Sequence, residues 1–144
     1  IRKRTLEELA LVRRDIGLSR ALDVRFSSWL DNDALWPDYT VFVHGDLYPG
    51  HLLVNKSNHV TGIIDWTEAK VQDPAIDFTG HLTTLGEESL KSLVRRYEAN
   101  GGRTWPHLVA HTIESAAFSP VRYGLFALRS GSYTHLAAAK AQLT

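Results

Sequence analysis

Every strand-patterned stretch of this chain falls between Thr40 and Ile64, and helical periodicity flanks it on both sides. Thr40-Val-Phe-Val43 is short and rich in β-branched residues, which predicts a strand. Leu52-Leu-Val54 and Val60-Thr-Gly-Ile-Ile64 bracket the turn formers Asn55-Lys-Ser-Asn58, the pattern of a β-hairpin. Ahead of the strands, Leu6, Leu9, Val12 and Ile16 recur at helical spacing over residues 4–16. Thr5 and Glu8 there stand three apart as a capping box would, and Ser19 is placed to cap a second helix running to about residue 30. Behind the strands, Asp73-Pro74 predicts a cap followed by proline at the first helical position. Further helices are expected near residues 90–97, 106–118, 120–128 and 133–143. Helices, three short strands and helices again make an α+β fold, with a small sheet beside a helical bundle.

At 144 residues the chain is long enough to bury a core without staples. Lys plus Arg and Asp plus Glu balance at 16 each, so no net basic field exists to hold nucleic acid or an anionic membrane, and neither partner is expected. The absence of cysteine excludes a disulfide framework, a thiolate metal site and a cysteine nucleophile, and it suits a reducing compartment such as the cytoplasm. No apolar run reaches the roughly 18–20 residues of a membrane span. Methionine is absent as well and the first residue is Ile1, so the chain reads as a piece of a larger protein.

Chemistry-bearing side chains crowd the predicted sheet. His44, Asp46, His51, Asp65, Asp73 and Asp77 fall within 34 residues. A hairpin turning near Lys56-Ser57 sets His51 opposite about Gly62 and brings Asp65 level with Tyr48, so Asp46, His51 and Asp65 converge at its open end. Asp65 is expected to end a buried strand, where a carboxylate without compensation would be costly. One aspartate to accept a hydroxyl proton, beside a second aspartate and a neutral imidazole holding a divalent cation, is what phosphoryl transfer to an alcohol requires.

His44-Gly-Asp46-Leu-Tyr-Pro-Gly-His51, followed by Ile63-Ile-Asp65-Trp66, resembles the catalytic loop and metal-binding aspartate of the antibiotic phosphotransferases, which share the protein-kinase fold. In that family a metal-binding Asn follows the catalytic Asp by five positions, and here the position holds His51. That departure is similar to the macrolide phosphotransferase branch, as are Asp65-Trp-Thr-Glu-Ala69, Asp73-Pro-Ala-Ile-Asp77 and Ala137-Ala-Ala-Lys-Ala-Gln142. The resemblance implies Asp46 as catalytic base, also contacting substrate, and His51 and Asp65 as ligands of Mg2+ and, through it, of the nucleotide. It implies Asp77 as a brace of the catalytic loop. It also implies transfer of the γ-phosphate of GTP, or of ATP, to the 2′-hydroxyl of a macrolide, an antibiotic-resistance reaction.

Several of these residues admit a plainer reading. Imidazole is a less usual partner for magnesium, which leaves the ion open. His44 suits a scaffold residue bonded to backbone better than an acid or base. Asp73 fits a helix cap and a position near the substrate cation equally well. Tyr48 sits two residues from Asp46. Phe118, Tyr123 and Phe126 fall in a segment apolar nearly all round, and either pack in the core or line a lipophilic acceptor pocket. His107 and His111 are four apart on a helix, but without the glutamate of a zinc-protease motif they read as surface or core histidines.

No glycine-rich loop opens a strand ahead of Asp46, and no lysine stands on a predicted strand there. The chain therefore reads as the carboxy-terminal lobe of a kinase-like enzyme, inactive without an amino-terminal nucleotide-binding lobe. Its expected parts are a helical segment 1–38, a catalytic core 39–80 and a helical subdomain 81–144. An aminoglycoside or small amino alcohol is the alternative acceptor, disfavoured because Glu114 is the one acidic residue from Ala99 onward. A non-catalytic binding module is the reading from another class.

Overall fold

A computed structural model describes residues 1–144. In chain order the elements are α1 (Arg2–Asp15), α2 (Arg20–Asp31), β1 (Val41–Val43), β2 (Leu52–Val54), β3 (Val60–Ile63), β4 (Lys70–Gln72), α3 (Ile76–Ala99), α4 (Leu108–Ala117), α5 (Ser119–Ser130) and α6 (Tyr133–Leu143). The fold is mostly helical with a small antiparallel β component. No helix is long and apolar enough to cross a membrane. Two compact units form: one combines Ile1–Trp36 with Ala117–Thr144, the other is Pro37–Ala116.

The first unit is helical. Leu9, Val12, Phe26, Trp29, Leu30, Phe118, Val121 and Leu125 are its buried center, where burial of apolar surface supplies most of the stabilisation. The Phe26 and Phe118 rings meet edge to face with centroids 5.0 Å apart, an arrangement contributing about 0.5–1.5 kcal/mol beyond the area it hides. α1 starts earlier than the expected capping box. Its cap is Ile1, with no side-chain bond, and Thr5 lies inside the helix at 8% exposure, continuing the stripe of Leu9 and Val12. Leu6, assigned to that stripe by spacing alone, is exposed. Ser19 does precede α2, but its hydroxyl caps nothing, and its N–H donates to the Leu143 carbonyl at 2.7 Å.

In the second unit β2 and β3 form the expected hairpin, with Leu52 opposite Ile63 and Leu53 opposite Gly62. His51 consequently lies beside Ile64, whose N–H donates to its carbonyl at 3.0 Å, and not opposite Gly62. Two features move the register: the turn closes between Asn55 and His59, and an irregularity at Leu53/Val54 adds a residue to one side. β1 pairs not with the hairpin but with β4, a fourth strand, through Phe42 and Val71. Lys70-Val-Gln72 holds one apolar residue and carries almost no strand signal.

Asp73 follows β4, and its Oδ1 accepts the Ala75 N–H at 2.9 Å. Helix α3 opens at Ile76, so Pro74 stands before the first helical residue instead of occupying it. Gly86 breaks α3 with φ 81 and ψ 174. Beyond the break Leu90 packs with Ala75, Phe78 and Leu108 in the core of this unit.

Candidate active site

β1 delivers the chain into the loop from His44 to His51, and the start of α3 holds that loop. Asp77 Oδ2 accepts the His44 N–H and Oδ1 accepts the Gly45 N–H, each at 2.8 Å. The His44 ring, 3% exposed, accepts the Asp46 N–H at Nδ1 (3.3 Å) and donates from Nε2 to the Ile64 carbonyl (2.8 Å). His44 is thus bonded to backbone on both sides, and it ties the loop to the end of β3.

Two glycines allow the close approach. Gly45 has φ +90, and a Cβ there would lie 2.4 Å from the Glu68 carbonyl oxygen. A Cβ on Gly80 would lie 2.1 Å from the Leu47 carbonyl oxygen, so α3 meets the loop backbone where only glycine fits.

With its backbone pinned, Asp46 presents a carboxyl group whose side chain is 62% exposed, open to an incoming hydroxyl. His51 ends a short 3-10 turn, Pro49–His51. Its Nδ1 lies 2.8 Å from the Asp46 carbonyl oxygen and 3.8 Å from Asp46 Oδ2, and its Nε2 lies 3.7 Å from Asp65 Oδ2. The Tyr48 ring crosses the imidazole at 64° with centroids 4.4 Å apart, fixing its plane.

Asp65 adopts φ 61, a left-handed conformation that aspartate tolerates better than most residues. It lies just past the end of β3 and is 49% exposed at the side chain, so the expected buried strand end is not found. The Thr67 hydroxyl donates to its Oδ1 at 2.7 Å. That bond is the largest of the causes that hold the Asp65 carboxyl below the usual carboxylate range; burial opposes it, and the Thr67 backbone N–H and the nearby His51 and His44 add to it.

Asp46, His51 and Asp65 thus come together about one imidazole. With Nδ1 engaged by the Asp46 carbonyl, the ring faces Asp65 Oδ2 with Nε2 across a gap too wide for a hydrogen bond. A cation at about 2.0–2.2 Å from each would fit that gap. No group of three or more His, Asp or Glu side chains is arranged to hold a metal. Magnesium is held through one or two carboxylates and completes its shell with phosphates and water, so Asp65 suits it while His51 is the less usual donor.

The remaining candidates have partners of their own. Asp73, 4% exposed, uses both carboxyl oxygens internally, on Ala75 N–H and on His111 Nε2 at 2.7 Å. Phe118 is fully buried in the core of the first unit. In that unit the Tyr123 hydroxyl lies 2.9 Å from His135 Nδ1, and Phe126, half-exposed, stacks on Tyr123. His81 bonds Ser89, and His111 is a core histidine. Sequence reasoning missed Thr67, Gly80 and the His111 contact. A threonine two residues after an aspartate is a local hydroxyl–carboxyl signal; the other two depend on tertiary contacts that leave no local trace.

An Asp, a His and an Asp gathered at the open end of a hairpin, with their loop clamped from the first turn of α3, belong to the carboxy-terminal lobe of a kinase-like phosphotransferase fold. The model of the phosphotransferase enzyme family matches residues 2–110, and the chain belongs to that family. Macrolide 2′-phosphotransferase type I is 50% identical with a TM-score of 0.94, over 99% of this chain and 48% of that one. The apoenzyme of macrolide 2′-phosphotransferase MphH from Brachybacterium faecium is 37% identical with a TM-score of 0.93, over 99% and 49%. Uncharacterized protein YcbJ of Bacillus subtilis (strain 168) is 38% identical over 94% of this chain and 44% of its own length. An aminoglycoside 2′-phosphotransferase solved with GDP shares the fold at 23% identity and a TM-score of 0.79. The chain spans about half the length of these relatives.

Proposed function

We propose that this chain is the carboxy-terminal catalytic lobe of a macrolide 2′-phosphotransferase. The observation that carries the reading is the convergence of Asp46, His51 and Asp65 at the open end of the hairpin. It is supported by the 50% identity to a macrolide 2′-phosphotransferase over nearly the whole chain. Asp46 orients the 2′-hydroxyl of the macrolide amino sugar and takes its proton, and the pinned loop holds the carboxyl group in place for attack. His51 and Asp65 are the residues that would hold Mg2+. That ion, when bound, offsets the charge of the triphosphate and the charge developing on its transferred group.

GTP is the proposed donor, with ATP the alternative, and Tyr48, Tyr123 and Phe126 are proposed acceptor contacts. The amino-terminal lobe that grips the nucleotide belongs to the longer protein. Phe42, Trp66 and Val71, all strongly exposed around the site, suit a surface that such a lobe covers. The 144 residues alone are expected to fold without turning over, because positioning needs both lobes. The cytoplasm, where nucleoside triphosphates are available, is the proposed compartment.

Incubating the longer protein with erythromycin or kanamycin, each with GTP or ATP, tests the reading. Phosphate on the macrolide with GTP is the expected product. Transfer to kanamycin alone would support the aminoglycoside alternative, and no transfer to either acceptor would support a non-catalytic module.

A further inference from the structure

The contact between Asp73 and His111 has no part in the chemistry above. His111 on α4 is fully buried, Asp73 is 4% exposed, and Nε2 and Oδ2 are 2.7 Å apart. The Trp105 ring meets His111 at 60° with centroids 5.7 Å apart, so the imidazole has little room to turn. A buried polar pair is weak support for stability, because apolar residues of equal volume often serve as well or better. What such a pair can supply is a fixed geometry, and here it sits where geometry matters.

Asp73 joins β4 to α3. Its neighbor Gln72 pairs with Val41 of β1, its Oδ1 accepts the Ala75 N–H and its carbonyl accepts the Ile76 N–H at 3.3 Å. One residue further on, Asp77 grips the N–H groups of His44 and Gly45, the two residues before Asp46. From α4 to Asp46, then, every step is a hydrogen bond or a single turn of chain.

We propose that His111 is a positioning residue: its bond to Asp73 fixes the turn that opens α3, and so aims the Asp77 clamp that sets the backbone of the Asp46 loop. The catalytic consequence rests on the phosphotransferase reading, but the mechanical one does not. Without the donor, the buried Asp73 carboxyl group turns toward water and takes the start of α3 with it. Displacement of a reacting group by about 1 Å is enough to cost a large factor in rate.

The experiment compares His111→Leu, which removes the donor and keeps bulk, with His111→Gln, whose amide can donate from nearly the same place. Amide exchange in the 144-residue chain is read at His44 and Gly45, with α6 as internal reference. In His111→Leu, exchange at both amides is expected to rise roughly tenfold or more while α6 keeps its protection, and His111→Gln is expected to restore it. In the longer protein the same pair is expected to show kcat lowered roughly tenfold with KM little changed, then rescue.

Unchanged exchange at His44 and Gly45 in folded His111→Leu overturns the proposal. Should His111→Leu lose protection everywhere, Asp73→Asn decides: a rise confined to His44 and Gly45 upholds the proposal, and a rise that includes α6 overturns it by making the pair a general prop. Changed exchange in a protein that transfers no phosphate would leave the positioning role standing and remove the phosphotransferase reading instead.

Discussion

His51 Nε2 faces Asp65 Oδ2 across 3.7 Å while the other ring nitrogen lies 2.8 Å from the Asp46 carbonyl. One imidazole therefore stands between both aspartates: one ring nitrogen meets the backbone of the first and the other faces the carboxyl group of the second. A hydrogen bond would draw the pair about 1 Å closer, and the separation found leaves room for a bridging cation. If these two donors hold the metal, His51→Ala and Asp65→Asn should each weaken Mg2+ binding in the nucleotide-loaded longer protein by at least about tenfold. Mn2+ titration followed by electron paramagnetic resonance measures it, and unchanged affinity in both variants would place the metal elsewhere.

Thr67 tunes that site through Asp65. Because the folded carboxyl group titrates lower than the unfolded one, it adds stability above its unfolded pKa and loses it as pH falls through the lowered folded value. Thr67→Val should raise the Asp65 pKa toward the ordinary value near 4 and move the acid limb of metal binding upward. Carboxyl chemical shifts across a pH titration report it directly, and an unmoved midpoint would show the hydroxyl to be irrelevant.

Gly80 predicts a stability effect where α3 meets the catalytic loop. A methyl group there meets the Leu47 carbonyl at 2.1 Å, so α3 must back away from the catalytic loop. Gly80→Ala is expected to cost about 1–3 kcal/mol in denaturant unfolding despite alanine's better helix propensity. A more stable variant would mean that α3 and the loop are not in contact.

Two phenylalanines of the first unit should part company. Phe118→Ala empties a filled core position and is expected to destabilise by about 3–5 kcal/mol. Phe126, half-exposed, should tolerate alanine within about 0.5 kcal/mol while raising KM for a macrolide if it lines the acceptor site. Thermal unfolding beside steady-state kinetics separates the two effects.

The architecture was legible wherever local patterns decide it. Residues 133–143 were expected as a helix and form α6, and Asn55-Lys-Ser-Asn58 turns the hairpin. What was not legible needed contacts distant in sequence. Lys70-Val-Gln72 is a strand only because β1 lies beside it, and Thr5 is buried only because α1 starts before it. The motif residues His44, Asp46, His51, Asp65 and Asp77 do gather, since a hairpin and one helix start suffice to place them. Phe118 could not be told from its neighbours because an all-round apolar segment gives no face. The bond from His111 to Asp73 was not legible because the partner lies 38 residues away, across the fold.

The most direct measurement of the central claim is the turnover of Asp46→Asn in the longer protein, followed as phosphate transferred from GTP to a macrolide. Asn preserves the shape of a side chain that is 62% exposed, so folding and the binding of both substrates should survive. Turnover should fall by roughly 10²–10⁴, the contribution of a positioned general base. Near-normal turnover in a folded, substrate-binding Asp46→Asn protein would contradict the account, because no group at this site would then be needed to take the proton.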